Sequence, residues 1–200
     1  MIQQLGNLMK NQLKITSMMA SGLLLTSCAC FFSPDYDLTD EELAFFDNLA
    51  RMCGSQFVGE STYPDDPNHD FAGKKLVATI DGCGPRYVSI PFHVGEDKSR
   101  TWLIYKTDNG LRLRHDHRHE DGTPDEQTLY GGYSAPYKGE QPTQYKQFFH
   151  ADDYTFEMIP EAKSNVWMLE YNPDTQEMTY YLERHQEPRY KAVLKLVEEK

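Results

Sequence analysis

The sequence predicts an all-β domain: an antiparallel meander closed into a barrel of eight to ten strands, preceded by one helix. Three observations lead there. Thirteen Tyr, ten Phe and two Trp in 200 residues supply side chains that favour strands. From about Gly73 onward the hydrophobic period is two. The short segments are parted by turn chemistry such as Asp81-Gly82, Gly95-Glu96-Asp97, Asp108-Asn109-Gly110, Asp121-Gly122 and Asn172-Pro173-Asp174, which leaves no room for crossover helices. A meander of that length either splits into a sandwich or closes, and closure removes its exposed edges.

The elements follow in order. Thr39 is the N-cap of the helix, with Glu42 three residues on and Leu38 facing Leu43 across the cap, so a capping box and a hydrophobic staple coincide. Leu43, Phe46, Leu49 or Ala50, and Cys53 continue at helical spacing to Gly54, the terminating residue. Such a helix plugs or covers one end of a barrel. Candidate strands are 74–80, 86–94, 100–106, 111–119, 127–133, 144–149, 154–159, 165–171, 177–184 and 189–197. One domain of this size buries a real core and is too short for a two-domain enzyme.

The first quarter has a different character. Lys10 and Lys14 precede an apolar, small-residue run from Ile15 to Leu25, the basic region and apolar core of an export signal. Leu25-Thr26-Ser27-Cys28 resembles the bacterial lipobox. The resemblance implies a lipoprotein signal peptide over residues 1–27, cleavage before Cys28, acylation of Cys28 (thioether diacylglycerol and palmitate-type chains) and a tether over 28–38. Two or more acyl chains hold a soluble domain at a membrane where one would exchange. Ala29 is not the Asp associated with retention at the inner membrane, which favours the outer membrane, facing the periplasm. Plain secretion or an uncleaved membrane segment are the alternatives.

Twenty basic against 31 acidic side chains give a formal charge of -11, and removal of residues 1–27 takes away two lysines and no acids. An acidic chain without a contiguous basic patch is not expected to bind nucleic acid. In an oxidising compartment Cys53 and Cys83 are the natural disulfide pair, Cys30 standing beside the anchor; two separate buried thiols are the alternative.

One helix, then Cys53-Gly54-Ser55-Gln56-Phe57-Val58-Gly59-Glu60 opening a run of hairpins, resembles the calycin superfamily in outline: the lipocalins and the fatty-acid-binding or nitrobindin-like barrels. Phe57 stands where the family's tryptophan is expected. The Arg-x-Trp strand, Gly-Leu-x-Leu-x-His-x-His and Tyr-Gly-Gly also resemble features of exported bacterial proteins. The likeness spans residues 54–197 and implies a domain over 39–200 that encloses a small or apolar molecule. Some nitrobindin-like members hold haem through a histidine, but no residue transfers for that role.

The concentrated chemistry is Gly110 to Asp121. Strand alternation sends Leu111, Leu113, His115, His117 and His119 to one face and Arg112, Arg114, Asp116, Arg118 and Glu120 to the other. The leucines mark the first face as interior, so the histidines form a polar stripe toward one mouth. The second face reads as a solvated surface of ion pairs. Three imidazoles spaced two apart diverge along one strand, so a compact site needs His93, His150 or an acid from another strand. The candidate ligand-binding residues are therefore His115, His117, His119, Trp102, His93 and His150. Packing within a polar interior is the competing explanation for the histidines, and packing is equally open for Trp102 and Trp167. His69 and His185 are isolated. Tyr130-Gly131-Gly132-Tyr133 lacks the context of a phosphate loop, and its glycines relieve crowding at a bend.

No G-x-S-x-G elbow or H-E-x-x-H is present, and Asp116 and Glu120 lie on the wrong face to orient a histidine base. The reading is a lipid-anchored envelope protein holding a small ligand. A structural or partner-docking lipoprotein and a metal-dependent enzyme built on the histidine row are the alternatives. The cofactor, if any, is unknown. A barrel with room inside implies a ligand; one filled by Phe, Tyr and Met implies a surface function.

Overall fold

The structure is a computed structural model that describes residues 36–197. Helix α1 (Asp40–Arg51) is followed by strands β1 (Gln56–Tyr63), β2 (Leu76–Thr79), β3 (Gly82–Cys83), β4 (Tyr87–Val94), β5 (Asp97–Thr107), β6 (Gly110–His117), β7 (Tyr130–Ser134) and β8 (Lys146–Ala151). A short helix α2 (Asp153–Met158) and a 3-10 turn (Pro160–Ser164) intervene before β9 (Val166–Asn172), β10 (Glu177–Arg184) and β11 (Glu187–Leu196). Ten strands close antiparallel into a meander barrel: β1 pairs with β11, and β2 pairs with β4 across the short gap where β3 lies alongside. Lipidation at Cys28, the signal peptide and the tether up to residue 35 lie outside the described residues.

Alternation builds the interior. Phe57, Leu76, Ala78, Ile90, Ile104, Leu111, Phe149, Met178, Ala192 and Leu194 are all buried on the inner face. Each large member contributes about 1.5 to 3 kcal/mol over its exposed state. Helix α1 covers one end. Thr39 Oγ1 accepts the Glu42 N–H at 3.2 Å, and the Glu42 carboxylate accepts the Thr39 N–H at 2.9 Å, completing the capping box. The second Glu42 oxygen accepts the Ser134 hydroxyl, whose oxygen accepts the Leu111 N–H at 2.8 Å. Lys106 Nζ sits 4.3 Å from the Phe46 ring centroid and 3.5 Å from Asp47. This demand on Glu42 rotates the helix from the expected stripe: Phe45, Phe46 and Leu49 are buried with Glu42, and Leu43 is exposed.

Cys53 and Cys83 form the disulfide, with Cα atoms 6.0 Å apart, tying the end of α1 to β3. Closing the 30-residue separation stabilises the fold by about 3 to 4 kcal/mol on the chain-entropy model.

The largest departures from the expected elements are two, beside the short β3 at the expected Asp81-Gly82 turn. Strand β1 precedes the stretch where period two was recognised, because Gly59 and Ser61 occupy its inner positions and blur the alternation. Residues 154–159, expected as a strand, form α2 instead. Asp152 caps it by accepting the Thr155 N–H at 3.1 Å, and Pro160 opens the next turn. Tyr-Thr-Phe composition favours a strand locally, but Thr155 Oγ1 both accepts from the Gly131 N–H and donates to the Gly131 carbonyl at 2.7 Å. Two buried hydrogen bonds outweigh a propensity difference of a few tenths of a kcal/mol.

Candidate ligand-binding site

Opposite α1 the barrel is open, and a cavity of about 460 Å³ enters it there. Strand pairing fixes its floor and wall. Trp102 of β5 lies opposite His115 of β6, and Arg100 lies opposite His117 one inward position nearer the mouth. His115 in turn lies opposite Tyr130 of β7, while Leu182 of β10 faces Tyr190 of β11. The segment between β1 and β2 places His69 and Phe71 over the mouth: the His69 ring stacks on Tyr190 at 5.6 Å, and Phe71 meets Tyr190 edge-on at 5.4 Å.

Below the mouth the interior is filled. Trp102 is sandwiched between Phe92 and Tyr180, each with ring centroids 4.5 Å away, and His115 stacks on Tyr130 at 4.7 Å with Trp167 at 5.2 Å. Such pairs each add about 0.5 to 1.5 kcal/mol beyond area burial. The next inward layer, Ile104 and Leu113, is fully buried. The cavity is therefore shallow.

Burial and hydrogen bonding set the chemistry of each group. Desolvation holds the His115 imidazole down to about 3, so the ring is neutral. Its Nδ1 lies 3.1 Å from the Tyr130 carbonyl, an obligate acceptor, so Nδ1 carries the proton; Nε2 then accepts from the Tyr180 hydroxyl at 2.8 Å. His117 is half-buried, its Nε2 3.2 Å from the Tyr130 hydroxyl. Burial first, and then the Arg100 charge, lowers its affinity for a proton. Burial pushes the Tyr130 and Tyr190 phenols up to about 12 and Tyr180 well above its ordinary value, so all three remain protonated. The Tyr190 hydroxyl is buried beside the Ser61 side chain, which offsets part of that rise.

Of the six residues singled out from sequence, Trp102, His115 and His117 line the cavity together. The other three lie elsewhere. Pairing of β6 ends at His117, and the chain turns so that His119 is exposed, its N–H donating to the Thr123 carbonyl at 2.9 Å. His93 lies on the outer face of β4, because Phe92 and Val94 take the inward positions. His150 lies on the outer face of β8 beside inward Phe149, its Nε2 3.2 Å from the Pro136 carbonyl. Neither can join a shared locus with His115. Among the described residues no three His, Cys, Asp or Glu side chains converge into a metal shell.

The residues missed were Arg100, Tyr130, Tyr180 and Tyr190, with His69 from the covering loop. Arg100 was legible through its alternation with Trp102; the tyrosines were not, since an inward tyrosine reads as packing until its hydroxyl is located. The Arg112/Arg114 face is also less solvated than expected. Arg114 is buried under α2 and pairs with Asp152, with its Nη1 unpartnered, while Arg118 and Asp116 do form a surface pair at 2.8 Å.

No protein-family model, curated protein or solved structure matches this chain.

Proposed function

We propose that this protein is a lipid-anchored envelope protein whose calycin-like barrel holds one small molecule at its open end. The observation that carries the reading is the cavity of about 460 Å³ at the open end, where room remains above the aromatic-filled Trp102–His115 layer and Arg100, His117 and Tyr130 line it. The volume falls in the range of small-molecule sites. Trp102, His115 and His117 contact the ligand in this reading. The export signal, the lipobox-like Leu25-Thr26-Ser27-Cys28 and the disulfide support anchoring through Cys28 in an oxidising envelope compartment, at the outer membrane facing the periplasm.

Native mass spectrometry of the chain, purified without a histidine tag and paired with elemental analysis, tests it. A retained small molecule, lost on denaturation, is expected. A bare polypeptide mass that also takes up nothing from a library of small aromatic and aliphatic compounds refutes it.

A further inference from the structure

The outer surface of the barrel carries a groove remote from the mouth. It measures about 410 Å³, lies at the α1 end of β4, β5 and β6, and is lined by Arg86, Tyr87, Tyr105, Lys106, Thr107 and Arg112. Strand register builds it: Tyr87 lies opposite Tyr105, Tyr105 opposite Arg112, and Arg112 opposite Tyr133. The Tyr87 and Tyr105 ring centroids are 6.1 Å apart, and the Arg112 guanidinium lies 5.2 Å from the Tyr133 ring centroid. Folding thus gathers three cations that no basic run in the sequence places together.

No carboxylate lines the groove. Those nearby stand at its margin: Asp47 is 3.5 Å from Lys106, Asp152 is 3.5 Å from Arg112 and closer to Arg114, and Asp37 and Asp108 are exposed on the flanking segments. Arg86 has no ion pair among the described residues, and its Nε donates to the Tyr36 hydroxyl at 2.6 Å. Tyr87 is 43% exposed. Amphipathic rings beside Arg and Lys are the side chains that settle at the headgroup level of a bilayer, where the cations attract anionic lipid. The formal charge of -11 opposes approach at long range, but screening over about 8 Å leaves the contact to the groups that touch it.

The place of the groove adds a second argument. Tyr36, which holds Arg86, begins the described residues, and Cys28 stands eight residues before it, at most about 29 Å of extended chain. Resting on the proposed anchoring through Cys28, we infer that this tyrosine-edged basic groove docks on anionic phospholipid headgroups of the membrane that holds the anchor. Arg100 at the mouth is six residues from Lys106 along β5, about 20 Å. Docking on the groove therefore keeps the mouth off the bilayer, and the cavity exchanges its ligand with the aqueous compartment.

The test is fluorescence quenching of the full chain, purified from membranes and reconstituted into vesicles of brominated phosphatidylcholine, with or without phosphatidylglycerol. Tyr87→Trp supplies a reporter in the groove and Asp70→Trp one at the mouth; the parent protein, whose Trp102 and Trp167 are buried, gives the background. The groove reporter is expected to be quenched when phosphatidylglycerol is present and much less without it, while the mouth reporter stays bright in both. Arg86→Gln should lower the docked-to-undocked ratio about fivefold, and Arg86→Glu further. Arg86 is exposed, so these variants keep the fold. Equal quenching in the two vesicles, stronger quenching at the mouth, or quenching that Arg86→Glu leaves unchanged overturns the inference. Emission from the groove reporter that responds to inorganic phosphate but not to brominated vesicles assigns the groove to a free anion and also overturns it. The intact mass separates the two readings: a protein without acyl mass at Cys28 overturns the anchoring and this inference with it, whereas an acylated protein whose groove reporter stays bright overturns this inference alone.

Discussion

Acid should weaken this fold before any carboxylate titrates, and His115 is the reason. Buried against Tyr130, Tyr180 and Trp167, the ring stays neutral down to about 3, whereas in the unfolded chain it takes a proton near 6.5. The folded-state value is depressed, so the contribution is fully present above the unfolded value. As pH falls through 6.5 the unfolded state gains a proton that the native state refuses, and stability drops until the native ring titrates near 3. The slope approaches about 1.4 kcal/mol per pH unit, which from pH 7 to pH 5 integrates to about 2 kcal/mol. His117 is shifted in the same direction and adds to the loss; Asp97, held down to about 2, acts only below that window. Urea unfolding of the oxidised protein at pH 7, 6 and 5 measures the sum. His115→Gln isolates the term: the variant is less stable at pH 7, from loss of the Tyr130 or Tyr180 bond, but should lose about 2 kcal/mol less than the parent on going to pH 5. Equal losses in the two proteins would refute the assignment of a buried neutral imidazole.

Two substitutions away from the cavity test the frame that holds it. Gly132→Ala should cost at least about 3 kcal/mol, because the new Cβ would sit 1.6 Å from the His150 carbonyl oxygen, backbone that cannot step aside. Gly139→Ala, with nothing within 4 Å, should cost only about 1 kcal/mol for its positive φ, and thermal melts of the two separate crowding from conformational preference. Asp152→Ala should cost roughly 3 to 5 kcal/mol by leaving the Arg114 cation buried alone, with the α2 cap lost as well. In denaturant titrations the Arg114→Met/Asp152→Asn pair should recover most of that loss, as neutral side chains leave no unpaired charge.

The barrel was legible because closure depends on features a sequence carries: period two, tight turns, and a capping box whose Thr39 and Glu42 hydrogen-bond as their spacing dictates. What the sequence hid were long-range contacts. Thr155 becomes helical to reach Gly131, 24 residues earlier, and Glu42 turns inward to meet Ser134, 92 residues later. Local composition at 154–159 favours a strand, and at α1 it favours an apolar stripe through Leu43. Neither pattern registers a distant polar partner. Arg114 was misjudged for the same reason, since its burial comes from a helix that the local pattern did not show.

The histidine row makes the limit concrete. Alternation correctly gives His115, His117 and His119 a common direction, but direction is not depth. Each step of two residues moves a side chain about 7 Å along the strand, comparable with the distance from core to solvent at a barrel mouth. The three imidazoles accordingly fall in three environments: His115 is walled in by aromatic rings, His117 stands half-buried between Arg100 and Tyr130, and His119 is exposed beyond the end of β6. Only the middle one combines access with polar neighbours. A row of identical residues is thus not one site of three ligands but a gradient, and where it crosses the mouth is decided by the strands opposite, which set Arg100 against His117 and Trp102 against His115.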